Sequence, residues 1–343
     1  MKILLVTDTH GQLAQLNALS AEHAVDVVIH AGDFGFYDDT SVDRLSEREL
    51  KLRIVHSDLG DSVKKDILTA SREEQRRFVR EHLPLSDLPL FLSGEKRFDC
   101  PVYAVWGNHE DVEVVKRFRS GEYEVHDLNV LHEESSFHLG GLHIFGLGGN
   151  FLVGKKLFQE PIAGGGGKVW SVLDQYIRLL ETVQREAREG EKRILVSHVS
   201  SGKEAFMTLL GIHLATDLVV SGHMGPPFSM IWNDFAVRSP EEALSRVEQR
   251  LSDVAQACDA LAPRNRERYE EAIHRFSDFP RNTVSCGRGQ NVPAWYMKMF
   301  NVNLSDAANG YALLEMDGNK WQVHSRSRPE RNQDSEKSIP GDA

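Results

Sequence analysis

Five largely apolar runs of strand length along the chain are each followed at once by aspartate, histidine or asparagine. The runs and their polar ends are residues 3–7 before Asp8 and His10, 27–31 before Gly32 and Asp33, 100–105 before Gly107, Asn108, His109 and Glu110, 194–197 before His198, and 218–221 before Gly222 and His223. Continuous apolar runs predict strands that are covered on both faces. Because side chains at strand ends are held more precisely than side chains on free loops, the five ends together predict a single metal site.

The beginning of the chain predicts a β-α-β unit. Leu13, Leu16 and Leu19 recur at helical spacing between the strands predicted at 3–7 and 25–29. A strand, a helix and a second strand in this order are typical of a parallel sheet covered by helices.

The alternation of strands and helices does not continue through residues 37–99, which predict a mostly helical insertion near the mouth of the site. Ser71 and Glu74 have the spacing of a capping box, in which each side chain bonds the backbone of the other residue at the start of a helix. The charges of this segment are typical of a solvated helix face rather than of a binding patch.

Residues 136–139 and 142–147 predict the two strands of an antiparallel hairpin, since two glycines separate them. His138 and His143 fall inside this pattern. We interpret them as packed or exposed strand histidines rather than as metal ligands.

Residues 148–168 are rich in glycine and predict a mobile loop. Their end is similar to a phosphate-binding P-loop, but Ile162 stands where that motif requires its first glycine, and Val169 stands where a serine or threonine would contact magnesium. We therefore exclude a P-loop. Two interpretations stay open, a solvated linker and a lid that places one of three lysines on a substrate phosphate, Lys155, Lys156 or Lys168.

Residues 239–280 predict a helical hairpin inserted before the last strands. Ser239 and Pro240 begin a capped helix in which apolar residues recur at alternating steps of three and four, and Pro263 ends it before a second helix. We favour packing of this apolar stripe within the chain over dimerisation.

The last strands are predicted near 282–286, 310–315 and 321–324. We expect one domain over residues 1–326, which contains the insertion at 37–99, the glycine-rich loop and the helical hairpin. The polar segment 327–343 predicts a disordered tail.

The composition is that of a globular chain: 343 residues, 41% hydrophobic and 27% charged, with a net charge of −11. This charge argues against broad affinity for nucleic acid, although a metal site can still attract a nucleotide phosphate.

Cys100, Cys258 and Cys286 are too few and too scattered for a disulfide framework, which favours a reducing compartment. With no signal-peptide block and no apolar stretch of about 20 residues, we expect a cytoplasmic protein without a membrane partner. The sequence predicts no oligomeric state.

The strand-end residues form a mixed set of imidazole, carboxylate and amide ligands. Such a set suits Mn, Fe, Zn or Ni better than Ca or Mg, which prefer oxygen alone. We therefore expect divalent transition metals, with manganese favoured.

The order of these motifs, D-x-H, G-D, G-N-H-E, S-H and G-H, resembles that of the calcineurin-like metallophosphoesterase family. The resemblance covers roughly residues 1–235, and residues 282–326 would complete the family's sheet. It implies an α/β fold, the four-layered α/β sandwich of two mixed sheets flanked by helices. It also implies hydrolysis of a phosphate monoester or diester, with nucleotides and phosphoproteins as candidate substrates.

Carried over by position, the resemblance implies a role for each strand-end residue. Asp8 and His10 would bind one metal, Asp33 would bridge both, and the other would be bound by Asn108, His198 and His223. His109 would be the general acid that protonates the leaving oxygen, and Glu110 beside it would orient or tune that imidazole.

The chain departs from the family pattern at Gly225, where the family's G-H-x-H motif has a second histidine that completes the first metal site. We therefore expect one or two bound ions, and the candidates for the missing ligand are water, Asn233, Asp234 and His213. The departure leaves an alternative function, a catalytically impaired protein of this fold that binds or scaffolds a partner. The retained His109 favours the enzyme, because a scaffold needs no general acid.

Overall fold

The computed structural model of the protein describes residues 1–55, 57–153, 168–223, 239–261, 266–285, 291–318 and 320–328, and the backbone alone at 162–163, 230–232 and 263–265. Its strands are β1 (Lys2–Val6), β2 (Val27–Ala31), β3 (Val102–Val105), β4 (Leu128–Val130), β5 (Ser136–Leu139), β6 (Leu142–Leu147), β7 (Asn150–Phe151), β8 (Ile162–Ala163), β9 (Val169–Ser171), β10 (Lys192–Ser197), β11 (Leu218–Ser221), β12 (Met230–Trp232), β13 (Thr283–Ser285), β14 (Asn291–Pro293), β15 (Phe300–Asn303), β16 (Gly310–Asp317) and β17 (Lys320–Ser327). Its helices are α1 (Ala14–His23), α2 (Ser41–Arg44), α3 (Glu47–Val55), α4 (Asp61–Thr69), α5 (Arg72–His82), α6 (Leu88–Leu92), α7 (Val112–Arg119), α8 (Leu173–Glu186), α9 (Ala205–His213), α10 (Pro240–Asp259) and α11 (Pro263–Ser277).

Two six-stranded mixed sheets form the centre of the molecule. The first has the order β17-β16-β1-β2-β3-β4 and the second the order β12-β15-β11-β10-β6-β5. In the first sheet β1 to β4 run parallel, and β16 joins β1 antiparallel. In the second sheet β6, β10, β11 and β15 run parallel, with antiparallel edge strands β5 and β12. The parallel strands of each sheet therefore end at one common edge.

Alternate residues of each central strand face two different apolar cores. Ile3 and Leu5 contribute to the core between the sheets, together with Ile194 of the second sheet. Leu4 and Val6 contribute to the core beneath the helices. Since successive side chains of a strand point to opposite faces, burial on both faces requires the continuous apolar runs seen in the sequence. The predicted fold, a four-layered α/β sandwich, is confirmed.

Five helices, α2 to α6, occupy the segment between residues 37 and 99. The capping box at the start of α5 is present: Ser71 Oγ accepts a hydrogen bond from the Glu74 amide, and the Glu74 carboxylate accepts one from the Ser71 amide at 2.9 Å. These helices share a small apolar core of their own, which includes Leu50 and Val79. The segment is thus helical, as its sequence predicts.

Helices α10 and α11 form the antiparallel pair that the sequence predicts between 239 and 280. Ser239 Oγ caps α10 by accepting a hydrogen bond from the Glu242 amide at 3.2 Å. The apolar stripe of α10, represented by Val247 and Val254, is buried in the main core with Phe276 of α11. The stripe therefore packs within the chain.

Several predicted features fall outside the described residues. They are Gly225, Asn233 and Asp234, lysines 155 and 156, Cys286, and residues 329–343 of the predicted tail. Strand β17 continues to Ser327, the first residue of the predicted tail. Across the part of the chain that is described, no helix has both the length and the apolar character needed to cross a membrane.

Candidate metal centre

The polar residues at the ends of five parallel strands meet at one edge of the sandwich. Asp8 and His10 follow β1, Asp33 follows β2, Asn108 and His109 follow β3, His198 follows β10, and His223 follows β11. Because both sheets present the carboxyl ends of their parallel strands here, residues up to 215 positions apart come into contact, as in the hydrogen bond from the His223 amide to Asp8 Oδ2 at 3.3 Å.

His198 lies at the centre of this cluster and is fully buried. Its Nδ1 is 3.0 Å from the Ala31 carbonyl oxygen, to which it donates. Its Nε2 faces Asn108 Oδ1 at 2.8 Å, His223 Nδ1 at 3.1 Å and Asp33 Oδ2 at 3.7 Å. Because Nδ1 donates to the Ala31 carbonyl oxygen, Nε2 is the nitrogen that is available to a ligand on the side of these three atoms.

This arrangement fits a bound cation. His198 Nε2, Asn108 Oδ1 and Asp33 Oδ2 are all atoms that can bind a metal ion, and they face one another. Asp8, Asp33 and His198 each offer a ligand atom within 4.8 Å of the other two, and all three residues are buried. Imidazole nitrogen with carboxylate and amide oxygen is the donor set of a divalent transition metal. The residues present therefore fit the group that the sequence predicts.

The two carboxylate oxygens of Asp33 have different neighbours. Its Oδ1 accepts a hydrogen bond from the His109 amide at 2.8 Å, which leaves Oδ2 turned toward His198. Burial opposes the charge of this carboxylate, but the nearby imidazoles of His198, His10 and His109 outweigh burial and lower the pKa of Asp33. Asp33 is therefore a carboxylate in the folded protein, as a metal ligand must be.

Asp8 has the opposite electrostatic balance. Its Oδ2 accepts a hydrogen bond from Thr7 Oγ1 at 2.6 Å. Burial, and then the charge of Asp33, raise the pKa of Asp8 above its ordinary value. Two buried carboxylates so close together repel each other unless positive charge lies between them.

Four of the strand-end residues have a left-handed backbone. The φ angles are 52° at Asp8, 46° at His10, 49° at Asp33 and 57° at His223. Such a conformation costs a residue with a side chain about 1–3 kcal/mol, and it concentrates at functional sites. Its recurrence at the ends of three strands is consistent with selection for side-chain direction rather than for stability.

Three glycines make room for these side chains. A Cβ atom at Gly107 would lie 1.9 Å from Asp33 Oδ1, one at Gly222 would lie 2.0 Å from Thr7 Oγ1, and one at Gly32 would lie 2.5 Å from His198 Nδ1. Each distance is far shorter than any non-bonded contact. The glycines that precede Asn108, Asp33 and His223 in the sequence motifs are therefore required by the close approach of the strand ends.

The ring of His109 contacts the helical insertion through one of its nitrogens. Its Nδ1 lies 3.5 Å from Glu49 Oε2 of α3, and Tyr37 donates a hydrogen bond to its carbonyl oxygen at 2.7 Å. The hydrogen bond with Glu49 raises the pKa of His109. The ring is half-buried.

The expectation that Glu110 orients His109 is wrong. Glu110 is buried, and its carboxylate accepts hydrogen bonds from the amides of Phe36 at 2.7 Å, Gly35 at 3.2 Å and Gly107 at 3.3 Å. Burial, and then the charge of Asp33, raise its pKa to about 8. Glu110 thus ties together the loops that follow β2 and β3, and the carboxylate beside His109 is Glu49.

His213 is also excluded as a replacement for the missing histidine. Its Nε2 is 3.2 Å from the Phe276 carbonyl oxygen, and its ring packs edge-on against the Phe276 ring at 5.3 Å. It therefore belongs to the contact between α9 and α11. His10 is exposed, and its amide donates to the Asp33 carbonyl oxygen at 2.8 Å, so its backbone lies beside Asp33.

The structure adds three residues that sequence analysis missed. Glu49 is one, and Lys203 is a second, since its ammonium group donates a hydrogen bond to the His223 carbonyl oxygen. Asp306 is the third: the Ala307 amide donates to the Thr7 carbonyl oxygen at 3.0 Å, which fixes Asp306 beside the end of β1. None of them lies in a motif, so the sequence carried no local signal for them.

Comparison with known proteins agrees with this geometry. The family model of calcineurin-like phosphoesterases matches residues 1–227. The chain therefore belongs to the calcineurin-like phosphoesterase family, whose members bind divalent metals and act on phosphate esters. No curated protein matches the chain.

Two solved structures are similar over nearly the whole chain, at low identity. A crystal structure shares 12% identity with a TM-score of 0.43 and covers 94% of this chain and 98% of its own. A hypothetical protein from Thermus thermophilus shares 10% identity with a TM-score of 0.35 and covers 96% of this chain and 100% of its own. The fold assignment rests on the family match and on the two sheets described above.

Proposed function

We propose that the protein is an enzyme that hydrolyses phosphate monoesters or diesters. The observation that carries this proposal is the grouping of Asn108 Oδ1, His223 Nδ1 and Asp33 Oδ2 around His198 Nε2. The imidazole of His109, whose amide bonds Asp33, lies beside Glu49. Metal-assisted hydrolysis requires side chains that bind the metal ions and a separate group that donates a proton to the leaving oxygen, and both are present here.

The ligand assignment follows the strand ends. Asp8 and His10 would hold a first ion, Asn108, His198 and His223 a second, and Asp33 would touch both. Manganese is the favoured metal, with iron, zinc and nickel as alternatives that the same donors accept. When bound, such ions neutralise the phosphate and lower the pKa of an attacking water.

His109 would act as the general acid. As the bond between phosphorus and the leaving oxygen breaks, the imidazolium proton of His109 passes to that oxygen, and Glu49 holds the ring by its other side. Because the hydrogen bond with Glu49 raises the pKa of His109, the ring holds its proton before the reaction. Glu49 is thus a positioning residue contributed by the helical insertion.

Two lysines would supply positive charge to the substrate. The side chain of Lys203 is exposed overall, but its ammonium group lies against the His223 carbonyl oxygen, where desolvation lowers its pKa. The lid interpretation of the glycine-rich loop would bring Lys168 to the substrate. The amide of the next residue, Val169, donates to the Asn108 carbonyl oxygen at 2.9 Å, which supports this interpretation for Lys168. A phosphate ester is an anion, so both charges favour its binding.

Asp306 would complete the first ion's ligand set in place of the family's histidine. It is half-buried, and burial and then the charge of Asp8 raise its pKa. The backbone hydrogen bond from the Ala307 amide to the Thr7 carbonyl oxygen, next to Asp8 in the sequence, supports this assignment. A carboxylate is an acceptable substitute for imidazole at a manganese site.

We further propose a cytoplasmic protein with one domain over residues 1–326, in which the insertions select the substrate. Cys100 and Cys258 are free thiols, in keeping with a reducing compartment. Candidate substrates are nucleotides and phosphoproteins, and the net charge of −11 argues against broad binding of nucleic acid.

The test is a substrate screen with added manganese. Purified protein is assayed on p-nitrophenyl phosphate, bis-p-nitrophenyl phosphate, cyclic nucleotides and a phosphoprotein, alongside His109→Ala. The variant should lower turnover by roughly 10² or more with metal content unchanged, because the general acid acts in the transition state. The matched control is His126→Ala, whose ring is 71% exposed. A protein that binds metal but turns over none of these substrates would instead support the scaffold function.

A further inference from the structure

A second group of metal-ligating side chains lies at the opposite end of the second sheet. His138 of β5 and His143 of β6 are directly paired across the antiparallel hairpin. Residues paired in this way project from the same face of the sheet. The two imidazole rings stack with their centroids 4.3 Å apart and their planes 17° apart.

Glu191 completes the group from a different part of the chain. It immediately precedes β10, and its Oε2 lies 2.7 Å from His138 Nδ1. One ligand atom from each of His138, His143 and Glu191 lies within 4.8 Å of the others. Three residues from two separate segments thus bring two imidazoles and a carboxylate together. Because the lone pairs of two stacked rings do not converge, the partly exposed His138 ring would turn out of the stack to share an ion with His143.

The hydrogen bonds around His143 determine which of its nitrogens is free. Ser136 Oγ donates to Glu186 Oε2 at 2.6 Å, because a carboxylate can only accept. The hydroxyl proton of Ser136 is therefore committed, and the contact of 2.7 Å between Ser136 Oγ and His143 Nε2 requires Nε2 to be the donor. The proton of the neutral ring is on Nε2, and Nδ1 carries a lone pair.

That lone pair is buried and has no partner in the described part of the chain. His143 is 0% exposed, and its Nδ1 has no hydrogen-bond partner among the described residues. A buried polar atom without a partner costs about 1–3 kcal/mol, so such atoms in a folded protein call for an explanation. An imidazole whose other nitrogen donates to a hydroxyl–carboxylate pair has the arrangement that metal-binding histidines adopt.

In place of the interpretation of His138 and His143 as strand histidines that bind no metal, we propose that these two residues and Glu191 form a separate binding site for a divalent transition metal of the zinc class. Two imidazoles and one carboxylate are a known zinc donor set, with a fourth position left for water. The site differs from the candidate metal centre, because Glu191 precedes β10 and His198 follows it; a strand of this length separates them by roughly 20 Å. A bound ion would cross-link the hairpin of β5 and β6 to the segment that precedes β10.

Zinc binding to the full-length protein tests this site. Wild type, His138→Gln, Glu191→Gln and the exposed control His126→Gln are dialysed against zinc at equal free concentration, and the ions per chain are counted. We expect His138→Gln and Glu191→Gln each to bind one ion fewer than wild type, and His126→Gln to bind the wild-type number. Circular dichroism and the Tm of the metal-free proteins verify that each variant is folded.

Two further readouts keep this proposal distinct from the proposed function. Zinc should raise the Tm of wild type more than that of His138→Gln, since a ligand that binds only the folded state stabilises it. Phosphoesterase activity with manganese should be equal in the two proteins, because His138 has no part in the candidate metal centre. Equal zinc stoichiometry and equal Tm shifts in all four proteins would overturn the second site and would leave the hydrolase proposal untouched.

Discussion

The amide of His109 donates a hydrogen bond of 2.8 Å to Asp33 Oδ1. This bond joins the loops after β2 and β3 and determines which carboxylate oxygen faces His198. It also makes the backbone of the proposed general acid part of the support for the proposed bridging ligand. This one hydrogen bond therefore connects a residue proposed to donate a proton, His109, with a residue proposed to bind metal, Asp33.

Asp33→Asn should remove metal from both positions. With the His109 amide still bound to the side-chain oxygen, the new NH2 group would face His198 Nε2, and a donor in that place cannot bind a cation. Asp8→Asn alters only the first position and should spare the second. Metal analysis of the two purified variants distinguishes them; equal metal content in both would rule out a bridging role for Asp33.

Glu49→Gln should lower kcat while leaving metal content unchanged. The substitution keeps the size of the side chain but removes the charge that lies 3.5 Å from His109 Nδ1. The loss should be smaller than that of His109→Ala, since the imidazole itself remains. Glu47→Gln is the matched control, because Glu47 lies on the same helix but pairs with Lys51. A raised KM with unchanged kcat would show that Glu49 binds substrate instead.

The strand ends could be predicted from sequence, because burial on both faces of a central strand leaves a continuous apolar run that stops where the polar residue begins. The predicted strand at 3–7 is observed as Lys2–Val6, and the family and the fold are confirmed. The starts of α5 and α10, at Ser71 and Ser239, can also be predicted, because the residues that cap a helix lie within one turn of its start.

The partners of the site residues could not be predicted, because they depend on how distant segments dock. Glu49 reaches His109 only because α3 packs against the site, 60 positions away in sequence, and nothing in its charged helix marks it. Glu110 was misassigned for the opposite reason. Its position next to His109 suggested a contact, but its buried carboxylate is taken up by three backbone amides.

Gly107→Ala should destabilise the protein and reduce its metal content. The new Cβ would lie 1.9 Å from Asp33 Oδ1 and 2.1 Å from the Asp33 amide nitrogen, so the loop after β2 must move. Overpacking of this kind costs typically about 1–3 kcal/mol, which a thermal unfolding curve detects as a lower Tm. Gly60→Ala is the control, since nothing lies within 4 Å of its Cβ position. An unchanged Tm and metal content for Gly107→Ala would mean that the strand ends are less tightly packed than described.

The last prediction concerns Asp306 and the histidine that Gly225 replaces. If the carboxylate beside the end of β1 serves the first ion, Asp306→Asn should release about one manganese per chain, because losing a direct ligand weakens a site more than the 10- to 100-fold typical of losing a supporting contact. The second ion should stay, since its proposed ligands, Asn108, His198 and His223, are unaltered. Equilibrium dialysis against manganese gives the number of ions directly, without reference to activity.

Activity then provides an independent measurement on the same variant. Asp306→Asn should need more added manganese than wild type to reach its maximal rate, as expected when one position binds weakly. Asp317→Asn is a suitable control, because Asp317 lies at the far end of β16 and pairs in register with Lys320 at the turn into β17. If Asp306→Asn instead keeps the wild-type stoichiometry and manganese dependence, Asp306 is no ligand, and the first ion is held by Asp8, His10 and Asp33 with another donor.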